Sequence, residues 1–246
     1  MRPHAADGLA RGWSGHLYIG KGFAVVDGTI GDNAPHRHLA IQMSIGIDGP
    51  VSIADEAASM LVAGGVLIAS NVRHRIAPLG RRVRSLYVEP QSRLGNLLAA
   101  RLAGRKLDRA DCALEEALRQ WLPGGTLLDT DPDAPGVTDP RAVRLMQLIA
   151  DGDPQEGPAR WAQRLAVSPS RLRTLSIEAF GVPPIRLRQW VHLKKAARAM
   201  AACANLAGAA AEGGYADQAH FTRQLNRWFG VSPGRGLAGL VIVVDG

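Results

Sequence analysis

A sequence repeat at a spacing of 49 residues is the feature that most constrains the fold of this chain. The segment AFGVPP at 179–184 returns as WFGVSP at 228–233, and the same shift relates Leu172 to Phe221. In both copies apolar residues recur at helical spacing before the glycine, which is the residue that most readily ends a helix in the left-handed conformation. The repeat therefore predicts two copies of one helical unit.

Each copy has the layout of a helix-turn-helix. In the first, Ser168 is a good N-cap, Pro169 suits the first helical position and Gly181 suits the stop. In the second, Asn205 caps a short helix, and a longer helix begins near Asp217. We predict an all-α domain at 141–246 that contains helix-turn-helix units at about 158–181 and 205–230.

The second helix of each unit has one apolar face and one polar face at 100° per residue. In the second copy Phe221, Leu225 and Trp228 share the apolar face. The opposite face consists of small, polar and basic residues: Ala219, His220, Thr222, Arg223, Asn226 and Arg227. Such residues contact bases and phosphates in a major groove, although most polar helix faces are simply solvated.

The distribution of charge favours the nucleic-acid interpretation. Residues 1–154 contain 17 Lys and Arg and 17 Asp and Glu, whereas residues 155–246 contain 12 and 5. The whole excess of positive charge thus lies in the region of the two units, as expected for a partner with a phosphate backbone. If the charge is considered alone, the alternative is that it merely keeps the domain soluble.

The segments GYADQAHFTRQLNRWFGVSP and, more loosely, LAVSPSRLRTLSIEAFGVPP resemble the DNA-binding domain of AraC/XylS-type transcription regulators, over residues 155–233. The resemblance implies two helix-turn-helix units joined by a long helix, with recognition helices in successive major grooves. The base-reading candidates by position are Ser170, Arg173, Thr174, Ala219, His220 and Arg223, and the helical periodicity adds Arg227. After Pro233 the chain departs from the family pattern and continues with GRGLAGLVIVVDG.

The N-terminal part has the pattern of a β domain. Short apolar stretches between about 15 and 90 alternate with turn signals such as Asp-Gly and Gly-Pro, and two helices are predicted within 92–121. The resemblance implies a sensing domain ahead of the DNA-binding domain. We predict an α+β two-domain chain in which a cupin-like β-barrel with trailing helices at 1–122, for sensing and dimerisation, is followed by a linker at 123–140.

Four polar residues of this domain are candidates for a site inside the barrel. APHRHLAIQMSIGIDG and VAGGVLIASNVRHRIAP resemble the two cupin motifs. His36, His38 and Gln42 share a strand face, and His74 belongs to the second motif. Metal binding, a small-molecule pocket and a purely structural barrel all remain open. We expect an effector pocket without metal or cofactor, because Gln42 stands where metal-binding cupins supply a carboxylate.

These observations predict an effector-responsive, sequence-specific DNA-binding transcription regulator and not an enzyme. The alternative is a metal-dependent cupin enzyme with an accessory DNA-binding module. The expected partners are double-stranded DNA, a small-molecule effector and a second copy of the chain, with RNA polymerase as a further candidate. The leucines at 94–121 would contact the second copy. The apolar run from Leu240 to Val244 is too short to cross a bilayer, and Cys112 and Cys203 suggest no disulfide framework. We expect a cytoplasmic protein with no membrane contact.

Overall fold

The computed structural model describes residues 12–20, 22–77, 80–126, 139–203 and 205–244. The first part consists mainly of strands, and the part after residue 139 consists mainly of helices. The predicted α+β fold with a β domain followed by a helical domain is therefore confirmed. Most of the predicted linker at 123–140 lies outside the described residues.

The first part contains nine strands and two helices among the described residues. The strands are β1 Ser14–Ile19, β2 Phe23–Thr29, β3 Ile41–Gly46, β4 Val51–Asp55, β5 Met60–Ala63, β6 Gly65–Ile68, β7 His74–Ala77, β8 Arg82–Val88 and β9 Leu107–Arg109. The helices are α1 Arg93–Leu102 and α2 Cys112–Gln120.

In the described residues of the second part there are seven helices and a final strand. They are α3 Pro140–Asp151, α4 Pro158–Arg164, α5 Pro169–Phe180, α6 Pro184–Ala199, α7 Leu206–Glu212, α8 Gln218–Phe229, α9 Pro233–Gly236 and β10 Gly239–Val244.

The strands form two sheets. The larger sheet has the order β10-β1-β2-β8-β3-β6-β9, and the smaller has the order β5-β4-β7. Ile53 and Ile76 of the smaller sheet belong to the same buried cluster as Val66 and Ile68 of the larger sheet. Strand β3 is buried along its whole length because it lies inside the larger sheet, with β8 on one side and β6 on the other.

The outer face of the larger sheet is covered by α1 and α2. The leucines of these helices pack with Val25, Met43 and Leu86 from the strands. The buried residues of the helical segment are Leu94, Leu98, Leu102, Leu114, Leu118 and Trp121, and Leu97 is partly buried against them. Packing within the chain therefore accounts for the apolar pattern of these helices, so this pattern gives no separate evidence for the predicted dimer.

The side chain of Arg84 fastens the end of α2 to the sheet. Its guanidinium contacts Asp27 at 2.6 Å and donates to the carbonyls of Leu118, Arg119 and Trp121 at 3.0, 2.7 and 3.0 Å. The last carbonyls of a helix have no partner within the helix, and a cation there also interacts favourably with the helix dipole. One half-buried arginine thus satisfies three of these groups.

The helical repeat is present in the structure as the sequence predicts. Helices α5 and α8 have equal lengths and bounds that differ by 49 residues. Ser168 and Asp217 cap their N-termini by accepting from the backbone N–H three residues later. Gly181 and Gly230 end them with φ of 73° and 68°. Helices α4 and α7 precede them, which completes two helix-turn-helix units.

The chain returns to the N-terminal sheet after the second unit. Strand β10 pairs in parallel with β1, with Ser14 opposite Gly239 at one end and Ile19 opposite Val244 at the other. β10 is therefore an edge strand of the larger sheet. The domain range 141–246 stays a prediction. Strand β10 lies within that range, yet it pairs with β1 of the first domain. Among the described residues, no helix is both long and apolar enough to cross a membrane.

The two capping glycines provide a matched pair of substitutions. A Cβ at Gly230 would lie 2.1 Å from the carbonyl oxygen of Ala34, whereas a Cβ at Gly181 meets nothing within 4 Å. Gly181→Ala should lower the free energy of unfolding by about 1 kcal/mol from left-handed strain alone. Gly230→Ala adds a clash with the carbonyl oxygen of Ala34 in the first domain. It should therefore lower the free energy of unfolding, measured in urea, by clearly more than Gly181→Ala does. Equal losses would contradict the close contact at Gly230.

Candidate nucleic-acid interface and effector site

Helices α5 and α8 each bury one face in their own unit. In α5, Leu172, Leu175 and Phe180 are at most 2% exposed. In α8, Phe221 and Trp228 are at most 1% exposed and Leu225 is 5% exposed. Burial of these side chains fixes the rotation of both helices, so the predicted polar faces are directed away from the core.

The predicted DNA-contacting residues occupy those outward faces. The exposed members are Ser170, Arg173, Thr174, Ala219, Arg223 and Arg227. His220 is half-buried because its ring lies edge-on to Tyr215, with the ring centroids 5.1 Å apart. The structure therefore brings each set to one helix surface, while contact of these residues with DNA stays a prediction.

Two arginines of these faces are available for an anionic partner. Among the residues that the structure describes, neither Arg173 nor Arg223 forms an ion pair, whereas Arg171 pairs with Glu178 at 3.3 Å. An exposed arginine carries its five donors in a planar fork, which suits the edge of a guanine or a phosphate. Arg173 and Arg223 lie on corresponding helices of the two units.

A second cluster of positive charge lies beside the end of α8. The guanidinium of Arg186 stacks over the ring of Trp228 at 4.6 Å. Burial, followed by the charges of Arg227 and Arg37, lowers the pKa of Arg186. Sequence reasoning missed this cluster because Arg37, Arg186 and Arg227 are far apart in the chain.

The predicted effector residues form one buried cluster in the first domain. His36 and His74 face each other across a pair of backbone hydrogen bonds, and their ring centroids are 4.4 Å apart. The Nε2 atoms of His38 and His74 lie 2.9 and 3.0 Å from Oε1 of Gln42. The structure thus brings the four predicted residues together, although their role stays a prediction.

Burial keeps the three imidazoles neutral. It lowers the pKa of His38 to about 3, with help from the charge of His74, and the pKa of His74 to about 4. Burial and the charges of His74 and His38 also hold the pKa of His36 well below its ordinary value. Neutral imidazole is the form that accepts a hydrogen bond or binds a metal.

The end of α8 packs directly against this histidine cluster. The ring of Phe229 lies 5.4 Å from His38 and 5.7 Å from Tyr87, centroid to centroid. The backbone N–H of Ala34 donates to the carbonyl of Gly230 at 2.8 Å. Phe229, the last residue of α8, therefore contacts the first domain.

An apolar cavity of about 150 Å³ lies beside the cluster, between the two parts of the chain. Its walls come mainly from the larger sheet, from α6 and from the inner face of α8. Among the lining residues are Leu17, Val26, His36, Tyr87, Trp190, Phe221, Leu225 and Phe229. His38, Gln42 and His74 are not in the lining, so of the four predicted effector residues only His36 borders this space.

Three charged residues also line the cavity. Lys194 forms an ion pair with Glu89, and Arg198 donates to the carbonyl of Gly20 at 2.9 Å. Lys194 and Arg198 are one helical turn apart on α6, which places them on one face. The spacing of Lys194 and Arg198 is visible in the sequence. That both residues face this cavity is visible only in the tertiary structure.

Comparison with protein families identifies the second part of the chain. The family described as a helix-turn-helix domain matches residues 161–237. This region is an AraC-type helix-turn-helix domain, which confirms the resemblance seen in the motifs. No curated protein has a significant sequence match to the chain.

Comparison with solved structures identifies the fold of the whole chain. Apo ToxT from Vibrio cholerae strain SCE256 is 13% identical, with a TM-score of 0.57 over 87% of this chain and 96% of that one. ToxT bound to (E)-4-(8-methylnaphthalen-1-yl)but-3-enoic acid is 12% identical, with a TM-score of 0.54 over 87% and 97%. ToxT bound to an unsaturated fatty acid is 13% identical, with a TM-score of 0.51 over 95% of both. The chain shares the two-domain fold of ToxT.

Replacement of Arg223 by Ala tests the candidate interface. If Arg223 reads a base, its loss should cost roughly 1–3 kcal/mol of binding free energy at the preferred duplex and relax the sequence preference there. The measurement is an equilibrium titration of duplexes selected from random DNA, at fixed moderate salt.

Arg144→Ala is the matched control because Arg144 is an exposed arginine on α3, outside the two recognition helices. It removes the same charge and should change affinity much less. An equal loss for Arg223→Ala on all sequences would make Arg223 a phosphate contact.

Proposed function

We propose that this protein is an effector-responsive, sequence-specific DNA-binding transcription regulator. The observation that carries the proposal is the pair of matched helices α5 and α8, whose outward faces hold exposed Arg173 and Arg223 on an AraC-type helix-turn-helix domain. Failure of the full chain to bind any duplex at moderate salt would reject it.

The two units suit a single continuous DNA site. Matched helices of equal length, joined through the one long helix α6, favour insertion into successive major grooves. Arg173 and Arg223 would contact base edges, while neighbouring arginines would contact phosphates and set the dependence on salt. Ser170, Thr174, Ala219 and His220 complete the proposed contact surface.

The proposed effector site is the cavity between the two parts of the chain. Its size supports a compact occupant, since an apolar cavity of this volume holds about one benzene ring. Its aromatic walls favour an apolar body, and the cations Lys194 and Arg198 favour an acidic head group. The two acids bound by ToxT belong to the same chemical class of apolar carboxylates.

An occupant of this cavity would contact the recognition helix from behind. Phe221 and Leu225 line the cavity with one face of α8, while Arg223 lies on the opposite side. An effector with different affinities for two positions of α8 would shift the population between them. The proposal therefore links occupancy of the cavity to affinity for DNA.

A homodimer, contact with RNA polymerase and action in the cytoplasm complete the proposal, and no catalytic step is part of it. Dimerisation would join two DNA-binding domains and raise affinity through effective concentration. The buried leucines of α1 and α2 already pack against the larger sheet of their own chain. The dimer contact would therefore have to involve other residues.

Two substitutions with opposite expected effects test the effector site. Lys194→Met should weaken binding of a small aromatic acid by about tenfold because it removes a charged hydrogen-bond donor. Glu89→Gln should strengthen binding because the acid no longer competes with Glu89 for Lys194. Calorimetric titration with benzoate, 4-phenylbutanoate and oleate measures both effects.

Lys195→Met is the matched control, since Lys195 is the exposed neighbour on the same helix and does not line the cavity. The neutral amide of the acid that binds best should bind more weakly than the acid. Acid binding that is unchanged in Lys194→Met and Glu89→Gln would reject the cavity as the effector site without affecting the evidence for DNA binding.

A further inference from the structure

Two arginines of the first domain lie opposite each other on its surface. His36 and His74 form an antiparallel bridge, in which each backbone N–H donates to the other residue's carbonyl, at 2.9 and 2.8 Å. Arg37 follows one residue of this bridge and Arg73 precedes the other, so the two arginines are the next opposed pair in that register. Side chains alternate between the two faces, which leaves the histidines buried and both arginines exposed.

Arginines of the second domain extend this surface. Arg227 is exposed in the last turn of α8, and the final residue of that helix, Phe229, packs on the ring of His38, the neighbour of Arg37. Burial lowers the pKa of Arg186, and the charges of Arg227 and Arg37 lower it further, so the three guanidinium groups lie near one another. The arginine patch formed in this way spans both domains and consists of Arg37, Arg73, Arg186 and Arg227.

The positive charge of the arginine patch is not neutralised by ion pairs. Among the residues that the structure describes, no member of the patch forms one, whereas Arg82 and Arg84 share Asp27 at 3.3 and 2.6 Å. Like charges directly opposite each other on neighbouring strands are destabilising. A surface that keeps this repulsion across a domain boundary suits a partner with several negative charges in a row.

The arginine patch continues the proposed DNA-contacting face of α8. Arg223 and Arg227 are one helical turn apart and both are exposed. A duplex carries about one negative charge per 1.7 Å of its axis, so a duplex bound at Arg223 brings a row of charges past Arg227. No member of the patch lines the apolar cavity, and three of the four are exposed. An open surface of this kind suits an extended backbone better than a small enclosed anion.

We propose that Arg37 and Arg73 bind backbone phosphates of the duplex beyond the end of α8, so that the first domain takes part in DNA binding. This inference rests on the proposed DNA-binding function and assigns part of its interface to the β domain. Phosphate contacts set orientation and carry no sequence information directly. DNA bound in this way bridges the two domains beside Phe229 and favours the arrangement in which they are in contact.

The test is the salt dependence of binding by the full chain to its preferred duplex. Each phosphate contact contributes about 0.9 to the slope of log affinity against log salt concentration. Arg37→Gln and Arg73→Gln should each reduce the magnitude of this slope by about one and weaken binding to all sequences alike. Arg109→Gln is the matched control, since Arg109 is an exposed arginine on β9, at the edge of the larger sheet opposite β10. It should leave the slope unchanged.

Uncharged phosphate analogues test the contact in the wild-type chain. A methylphosphonate that replaces one phosphate beside the segment bound by α8 should weaken binding at the contacted positions. The same replacement should have a smaller effect on Arg37→Gln or Arg73→Gln, because one partner of the contact is already lost. Additive losses at every position would contradict a direct contact.

A small anion is the alternative occupant of the arginine patch, and calorimetric titration with inorganic triphosphate tests it. Triphosphate binding that is lost in Arg37→Gln and Arg73→Gln, with slopes for duplex DNA that stay at the wild-type value, would overturn the proposal. Unchanged slopes together with loss of affinity in Arg223→Ala would reject the contact of the first domain and leave the DNA-binding function standing. Failure to bind any duplex would reject both.

Discussion

The contact between the end of α8 and the first domain is the interaction on which the rest of the arrangement depends. Phe229 packs on His38 and Tyr87, and Gly230 accepts a hydrogen bond from Ala34 where a side chain would not fit. Both contacts come from the last turn of the proposed DNA-reading helix. The position of that helix is therefore set by the β domain as well as by its own helix-turn-helix unit.

The same contact explains why two candidate ligand sites lie side by side. Phe229 contacts His36 and His38 of the histidine cluster and also lines the apolar cavity, which His36 borders as well. The walls of the cavity are complete only while the two parts of the chain are in contact, since Trp190 and Phe221 come from one and Leu17 and Tyr87 from the other. An occupant of either site would act on the same interface.

Local patterns predict the recognition helices well because their determinants are local. Caps, terminal glycines and helical periodicity lie within each segment, and the faces of α5 and α8 agree with the structure. The cavity depends on residues far apart in sequence, such as Glu89 and Lys194, and no local pattern indicates that they meet. The pairing of β10 with β1 likewise has no local signal, because the sequence after Pro233 shows an apolar run but not the strand that it pairs with.

Close packing connects the contact at Phe229 directly with the proposed DNA-contacting face of α8. Trp228 is buried against Trp190 of α6, with ring centroids 5.4 Å apart, so a displacement of α8 would disturb its packing on α6. Closely packed interiors change between discrete arrangements and do not deform gradually. A change at Phe229 that moves the last turn must therefore carry Arg223, less than two turns away on the same helix, to a different place relative to DNA.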